Sequence, residues 1–230
     1  MTITPTRLIR ACGLSAGLAG LLYIVIQFVH PTEELATVTG TAWVVVAAMT
    51  LAFGVLGLVG VTGVYLRQVR ETGAVGLAGY LLTGLFSLVV TAFSFVEILI
   101  LPPLAPEAPA FVDSFLSIFS GSGGGDVDLG ALSAMSTVSF VLYLLGGVLL
   151  GSAVIRAHVL SRGAGALLIV GAACTLLVPL VPHDVGRYAA VPYGAALIWL
   201  GYALWTDRQT TSNAASTGSG TADRPSAAIR

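Results

Sequence analysis

The sharpest chemical feature of this chain is one acid among apolar neighbours, Glu97 in Phe95-Val96-Glu97-Ile98-Leu99. An ionisable side chain in hydrocarbon costs roughly 3 kcal/mol on insertion scales, so an acid there marks a candidate site. It lies four residues before Leu101, about one helical turn from the end of its apolar stretch. Tyr80, Thr83, Ser87, Thr91 and Ser94 lead up to it. At about 100° per residue these positions share roughly one third of a helix circumference. The stripe reads either as a polar path or as hydroxyls bonding back to their own helix carbonyls.

Two histidines have related placements. One apolar stretch ends Tyr23…Gln27…His30-Pro31, with spacings that put all three side chains on one helix face. Another ends Pro179-Leu180-Val181-Pro182-His183-Asp184. Two imidazoles and a carboxylate suit either a proton-transfer set or the ligands of a divalent metal with one position open. Glu97, His30 and His183 are therefore the candidate catalytic residues and the candidate metal ligands. Tyr23, Gln27, Ser94 and Asp184 are the candidate substrate-binding residues. No fixed spacing such as H-E-x-x-H ties the set together, so the competing reading is three unrelated helix-end residues. His158 falls in a short arginine-bearing link and reads as solvated.

The elements that must position these groups follow from composition. Of 230 residues, 56% are hydrophobic and 9% charged, and mean hydropathy is +0.94. A water-soluble domain carries charge on about a quarter of its residues. The expected fold is therefore an all-α integral membrane bundle of six transmembrane helices. A span needs about 20 apolar residues, and stretches at about 8–30, 43–66, 74–101, 129–155, 164–182 and 190–206 qualify or nearly do. The first stretch is too long for an ordinary signal peptide and is read as an uncleaved anchor.

All ten basic residues are arginine, which removes Schiff-base chemistry and fits a GC-rich bacterial genome. Their distribution gives direction: Arg7, Arg10, Arg67, Arg70, Arg156, Arg162 and Arg208 fall on alternate sides of successive spans from Glu33, Glu34, Glu107, Asp113, Asp126, Asp128 and Asp184. Arg187 is the one basic residue on the acidic side. The positive-inside rule then places both termini in the cytoplasm of a bacterial inner (plasma) membrane and the acidic loops outside. The net charge of −1 gives no indication of a nucleic-acid partner.

The outer link at 102–128 is unusually long. It holds Pro102-Pro103, Pro106 and Pro109, then Phe111, Phe115, Ile118 and Phe119 at helical spacing, then a run of glycines. It reads as an interfacial cap helix or as a flexible tether. Residues 1–206 are expected to form the transmembrane domain, and 207–230, rich in Ser, Thr, Ala and Gly, a disordered cytoplasmic tail.

Gly13-x-x-x-Gly17 with Gly20, the series Gly54, Gly57, Gly60 and Gly63, and Gly147-x-x-x-Gly151 predict close helix contacts. The spacing of three drifts around a helix, so the second series should serve more than one neighbour. These faces also leave room for a homo-oligomer or another membrane partner. Trp43, Tyr188, Tyr193, Tyr202 and Trp205 lie toward span ends and read as an interfacial belt. Cys12 and Cys174 fall at different depths and are not expected to pair.

Three functions fit these features. The first is a membrane enzyme with an outward-facing site around Glu97, capped by 102–128, acting on a lipid-soluble or small-molecule substrate. The second is a transporter or permease-like subunit lined by the polar stripe. The third is an accessory protein that assembles with another membrane protein.

Overall fold

In a bilayer core a helix is one of the few forms that satisfies every backbone N–H and C=O internally, and six helices here are long and apolar enough to cross a membrane. The chain is thus a multi-pass membrane protein, seen here in a computed structural model that describes residues 4–120, 125–181 and 183–206. The side chains of His183 and Asp184 and the tail at 207–230 lie outside the described residues.

The elements are α1 (Pro5–Val29), α2 (Leu35–Val38), α3 (Thr41–Arg67), α4 (Val69–Leu99), α5 (Leu101–Leu104), α6 (Pro109–Ser120), α7 (Met135–Ala157), α8 (Arg162–Cys174), α9 (His183–Gly186) and α10 (Val191–Thr206). Three 3-10 segments, Gly130–Ala134, Thr175–Leu180 and Arg187–Ala190, extend α7, α8 and α10 at one end of the bundle. No strand occurs among the described residues.

Local sequence explains where the long helices start and stop. Pro5 opens α1, where its missing N–H costs nothing, and the Thr4 hydroxyl accepts the Arg7 amide at 3.4 Å. Ser161 caps α8 in the same way through the Ala164 amide. The third stretch enters at a break: Gly73 has φ 56° and ψ −151°, a region almost confined to glycine, so the span proper begins one residue later, at about residue 74. The fifth stretch departs from the continuous helix expected over 164–182. It is α-helical to Cys174 and then tightens to 3-10 geometry, because Pro179 has no N–H to continue the α ladder.

The six long helices form a closed ring. Each packs on the one before it in the order α1, α3, α4, α7, α8, α10, and α10 returns to α1. Glycines at the seams permit the close approach. A Cβ on Gly13 would stand 2.8 Å from the Gly201 carbonyl oxygen, and one on Gly151 would stand 2.6 Å from that of Gly165. The α3 series divides as its drift predicts: Gly54 and Gly57 face Ser87 and Thr91 of α4, while Gly60 and Gly63 face Ala16 and Cys12 of α1. Without a hydrophobic drive between helices in lipid, such backbone proximity and the dispersion it gains hold the ring. Cys12 is buried in one of these seams, and both cysteines are free.

The two short links at 67–73 and 156–163, each running from an arginine to a glycine, differ in geometry. Gly73 breaks its helix, whereas Gly163 lies within α8 against Trp199, and the turn there falls on His158 at φ 55°.

The ring's centre is aromatic. Tyr23 stacks on Phe53 with ring centroids 4.4 Å apart, and Tyr143 stacks on Tyr193 at 4.5 Å. This corrects part of the belt expectation. Tyr188, Tyr202 and Trp205 are well exposed, as a lipid–water belt requires, but Trp43 and Tyr193 are buried.

Candidate functional site

Between the aromatic centre and the acidic end of the bundle lies a cavity of about 520 Å³, within the usual size range for small-molecule sites. Its walls come from α1, α3, α4, α6, α7 and the 3-10 segment after α8. Phe86, Val89, Val90 and Phe140 make an apolar body, and Tyr23 and Tyr143 close the deep end.

The segment 102–128 supplies the cover. Of the two readings of this link, the cap is the one its helical part adopts: α6 lays Val112, Phe115 and Leu116 onto Val38, Trp43 and Leu101 in a second small core. The buried face is centred on Val112, Phe115 and Leu116, and not on Phe111 and Ile118, which are only partly buried. Phe93 of α4 fixes the helix from below, with ring centroids 5.4 Å from Phe115 and 5.0 Å from Phe119. The Ser114 hydroxyl, bonded to the Ala110 carbonyl, also accepts the Val127 amide at 3.1 Å and so ties down the far side of the loop.

One wall of the cavity is polar. Glu97 reaches it from the last turn of α4, His30 from the end of α1, and Glu33 from the loop that follows. Ser94, one turn earlier on α4, hydrogen-bonds the Glu97 carboxyl group, and the Glu33 carboxylate lies close enough to act on it electrostatically. The Trp43 indole N–H donates to the Glu97 backbone carbonyl at 3.1 Å, satisfying one of the carbonyls that every helix end leaves without an intrahelical partner. Trp43 is therefore drawn inward by a bond to the helix that carries the acid, which explains its departure from the belt.

His30 has its ring Nδ1 2.8 Å from the Pro31 carbonyl oxygen. A carbonyl only accepts, so Nδ1 carries the proton and donates, leaving Nε2 as the exchangeable position. The ring meets Trp43 edge-on at 6.3 Å between centroids. His30 and Glu97 also share a second void of about 10 Å³ beside Trp43, at the lower limit for one water molecule.

The structure thus gathers Glu97, His30, Tyr23 and Ser94 around one space. It does not bring in Gln27, whose side-chain amide donates to the Tyr23 carbonyl at 2.8 Å on its own helix. The side chains of His183 and Asp184, the other two expected contributors, lie outside the described residues. Among the described residues no three His, Cys, Asp or Glu side chains are close enough to hold a metal ion.

The upper part of the polar stripe behaves differently from its end. Thr83 and Thr91 donate to the carbonyls of Gly79 and Ser87 one turn back. Thr83 and Ser87 are buried against glycines of neighbouring helices, and Tyr80 stacks on Tyr65 at 4.8 Å. Only Ser94 and Glu97 of the stripe face the cavity.

Several contributors carried no isolated signal in the sequence. Ser139 and Tyr143 sit in an apolar helix and look like packing residues, yet both line the cavity, and the buried Ser139 hydroxyl has no hydrogen-bond partner among the described residues. Glu33 did have a signal, its distance of three residues from His30. Arg187 donates from Nη1 to the His30 carbonyl at 3.1 Å, so the lone basic residue of the acidic end pins the last ring helix to the end of α1. No family model, curated protein or solved structure matches this chain.

Proposed function

We propose that this protein receives a lipid-soluble small molecule in an outward-facing membrane site built around Glu97, with Glu97 and His30 as the groups that exchange protons with it. The observation that carries the reading is the cavity itself: an apolar body of about 520 Å³ that ends in a wall of Glu97, His30, Glu33 and Ser94 under an amphipathic cap. Such a shape suits an amphiphile whose apolar part enters from the bilayer and whose polar group meets the acid. Glu97 with His30 Nε2 supplies the acid and base that a membrane enzyme acting on such a molecule requires. The arginine distribution supports placing the cavity on the outer face of a bacterial plasma membrane.

A transporter is the weaker alternative, because the stripe that would line its path is used in helix contacts above Ser94. Nothing in the contacts favours an accessory role over binding.

Native mass spectrometry of protein released from membranes tests the reading. Wild type is expected to carry a stoichiometric small-molecule adduct, and Glu97→Gln to lose at least about tenfold of its occupancy, as removal of a charged hydrogen-bond partner implies. Equal occupancy in the variant, or no adduct on wild type, would overturn it.

A further inference from the structure

We infer that the occupant of this cavity, on the reading of it as a lipid-soluble site, is a long-chain amphiphile of the membrane itself. It enters sideways from the bilayer, between α7 and the 3-10 segment Thr175–Leu180, and Phe140 is the side chain it must pass.

The seam between α7 and α8 is tight over most of its length. A Cβ on Gly151 would stand 2.6 Å from the Gly165 carbonyl oxygen, and one on Gly147 would stand 2.7 Å from the Ala172 Cβ. Phe140 lies on the same face of α7, seven residues before Gly147. Continued in the same antiparallel register, the seam would bury Phe140 against Thr175–Leu180. Phe140 is instead 38% exposed, within the apolar span Gly130–Ala157, and it also lines the cavity. One ring therefore borders both the cavity and the lipid.

The seam opens where α8 gives way to 3-10 geometry. A 3-10 helix sets residues three apart in one row. Thr175 and Val178 form the row that lines the cavity, whereas Leu177 and Leu180 form an exposed row. The segment packs chiefly on α8, α9 and Arg187–Ala190, so it makes a loose jamb against α7. Other seams at this end are tied, α3 to α4 by Trp43 on the Glu97 carbonyl and the last ring helix to α1 by Arg187 on the His30 carbonyl. Just inside Phe140, the buried Ser139 hydroxyl has no partner among the described residues. It can donate to or accept from an oxygen function at the root of a chain. A tail longer than the cavity can stay in the bilayer through such a gap, which a closed cavity would forbid.

N-hexadecylmaleimide, held in the bilayer by its own tail, tests the route. The chain carries Cys12→Ala, Cys174→Ala and Ser139→Cys in phosphatidylcholine vesicles, and intact mass reports modification of the single thiol. The reagent is expected to modify it. Phe140→Ala should speed that reaction at least about tenfold by clearing the gap, whereas Leu145→Ala, a truncation on the lipid-exposed surface away from the cavity, should leave the rate unchanged. Both variants are checked for the parent elution profile. Modification by a water-soluble methanethiosulfonate but not by N-hexadecylmaleimide overturns the lateral route and leaves the site standing. Equal rates in Phe140→Ala and Leu145→Ala remove Phe140 and its gap from the route. Failure of both reagents removes the route and the accessible site together. The comparison of the two reagents decides the route even where Phe140→Ala fails to fold.

Discussion

Gly20→Ala is expected to break open the helix ring, whereas Gly17→Ala, three residues away in the same glycine series, is expected to leave it intact. A Cβ on Gly20 would collide with the Gly194 carbonyl oxygen and stand 2.9 Å from the backbone nitrogen of Ile198. Those are backbone atoms of α10, so no side-chain rotation relieves the contact, and the seam that closes the ring must separate. Overpacking of a rigid contact costs about 1–3 kcal/mol or more, and the ring has no alternative closure for α1. A Cβ on Gly17 meets nothing within 4 Å, and alanine favours the helix by up to about 1 kcal/mol over glycine. Size-exclusion profiles and thermal unfolding of the two variants in detergent should therefore diverge: aggregation or a large loss of stability for Gly20→Ala, wild-type behaviour or better for Gly17→Ala. Equal damage from both would mean that the motif acts by composition and not by the α1–α10 contact.

Phe115→Ala should release the cap while sparing the ring. Phe115 is buried in the small core that α6 forms with Val38, Trp43 and Leu101, and its ring packs on Phe93. Removing a buried Phe side chain costs about 3–5 kcal/mol. A 12-residue helix held largely by one apolar face has little to offset such a loss. Hydrogen exchange should rise across α6 and stay low in α3, α4 and α7. Unchanged protection in α6 would show that the rest of its contacts suffice, and loss of protection throughout would show that cap and ring form one cooperative unit.

The fold was readable in the sequence to the extent that lipid leaves few options. Six apolar stretches of sufficient length mark the six helices, and the glycine spacing in α3 foretells contacts on two sides. Pro179 modifies this picture locally by converting the end of the fifth span to 3-10 geometry, whereas the Gly73 break falls just before the start expected for the third. The site was legible only where an ionisable residue stood out against hydrocarbon, as at Glu97. Trp43 was misplaced into the belt because its partner, the Glu97 carbonyl, comes from 54 residues away. Ser139 and Tyr143 were invisible for a similar reason: a hydroxyl on an apolar helix acquires meaning only when a cavity faces it. Gln27 shows the converse, a polar residue on the expected face that bonds to its own backbone.

Cysteine accessibility at Ser139 tests the account most directly. In a chain carrying Cys12→Ala and Cys174→Ala, Ser139→Cys places one thiol on the wall of the cavity. A membrane-impermeant methanethiosulfonate reagent applied to intact cells should modify it, and a neutral lipid-soluble probe such as triphenylphosphine oxide should slow that modification at least about tenfold, as a reversible occupant of the same space would. Modification only from the cytoplasmic side, or a rate that no occupant alters, would contradict an outward-facing ligand site around Glu97.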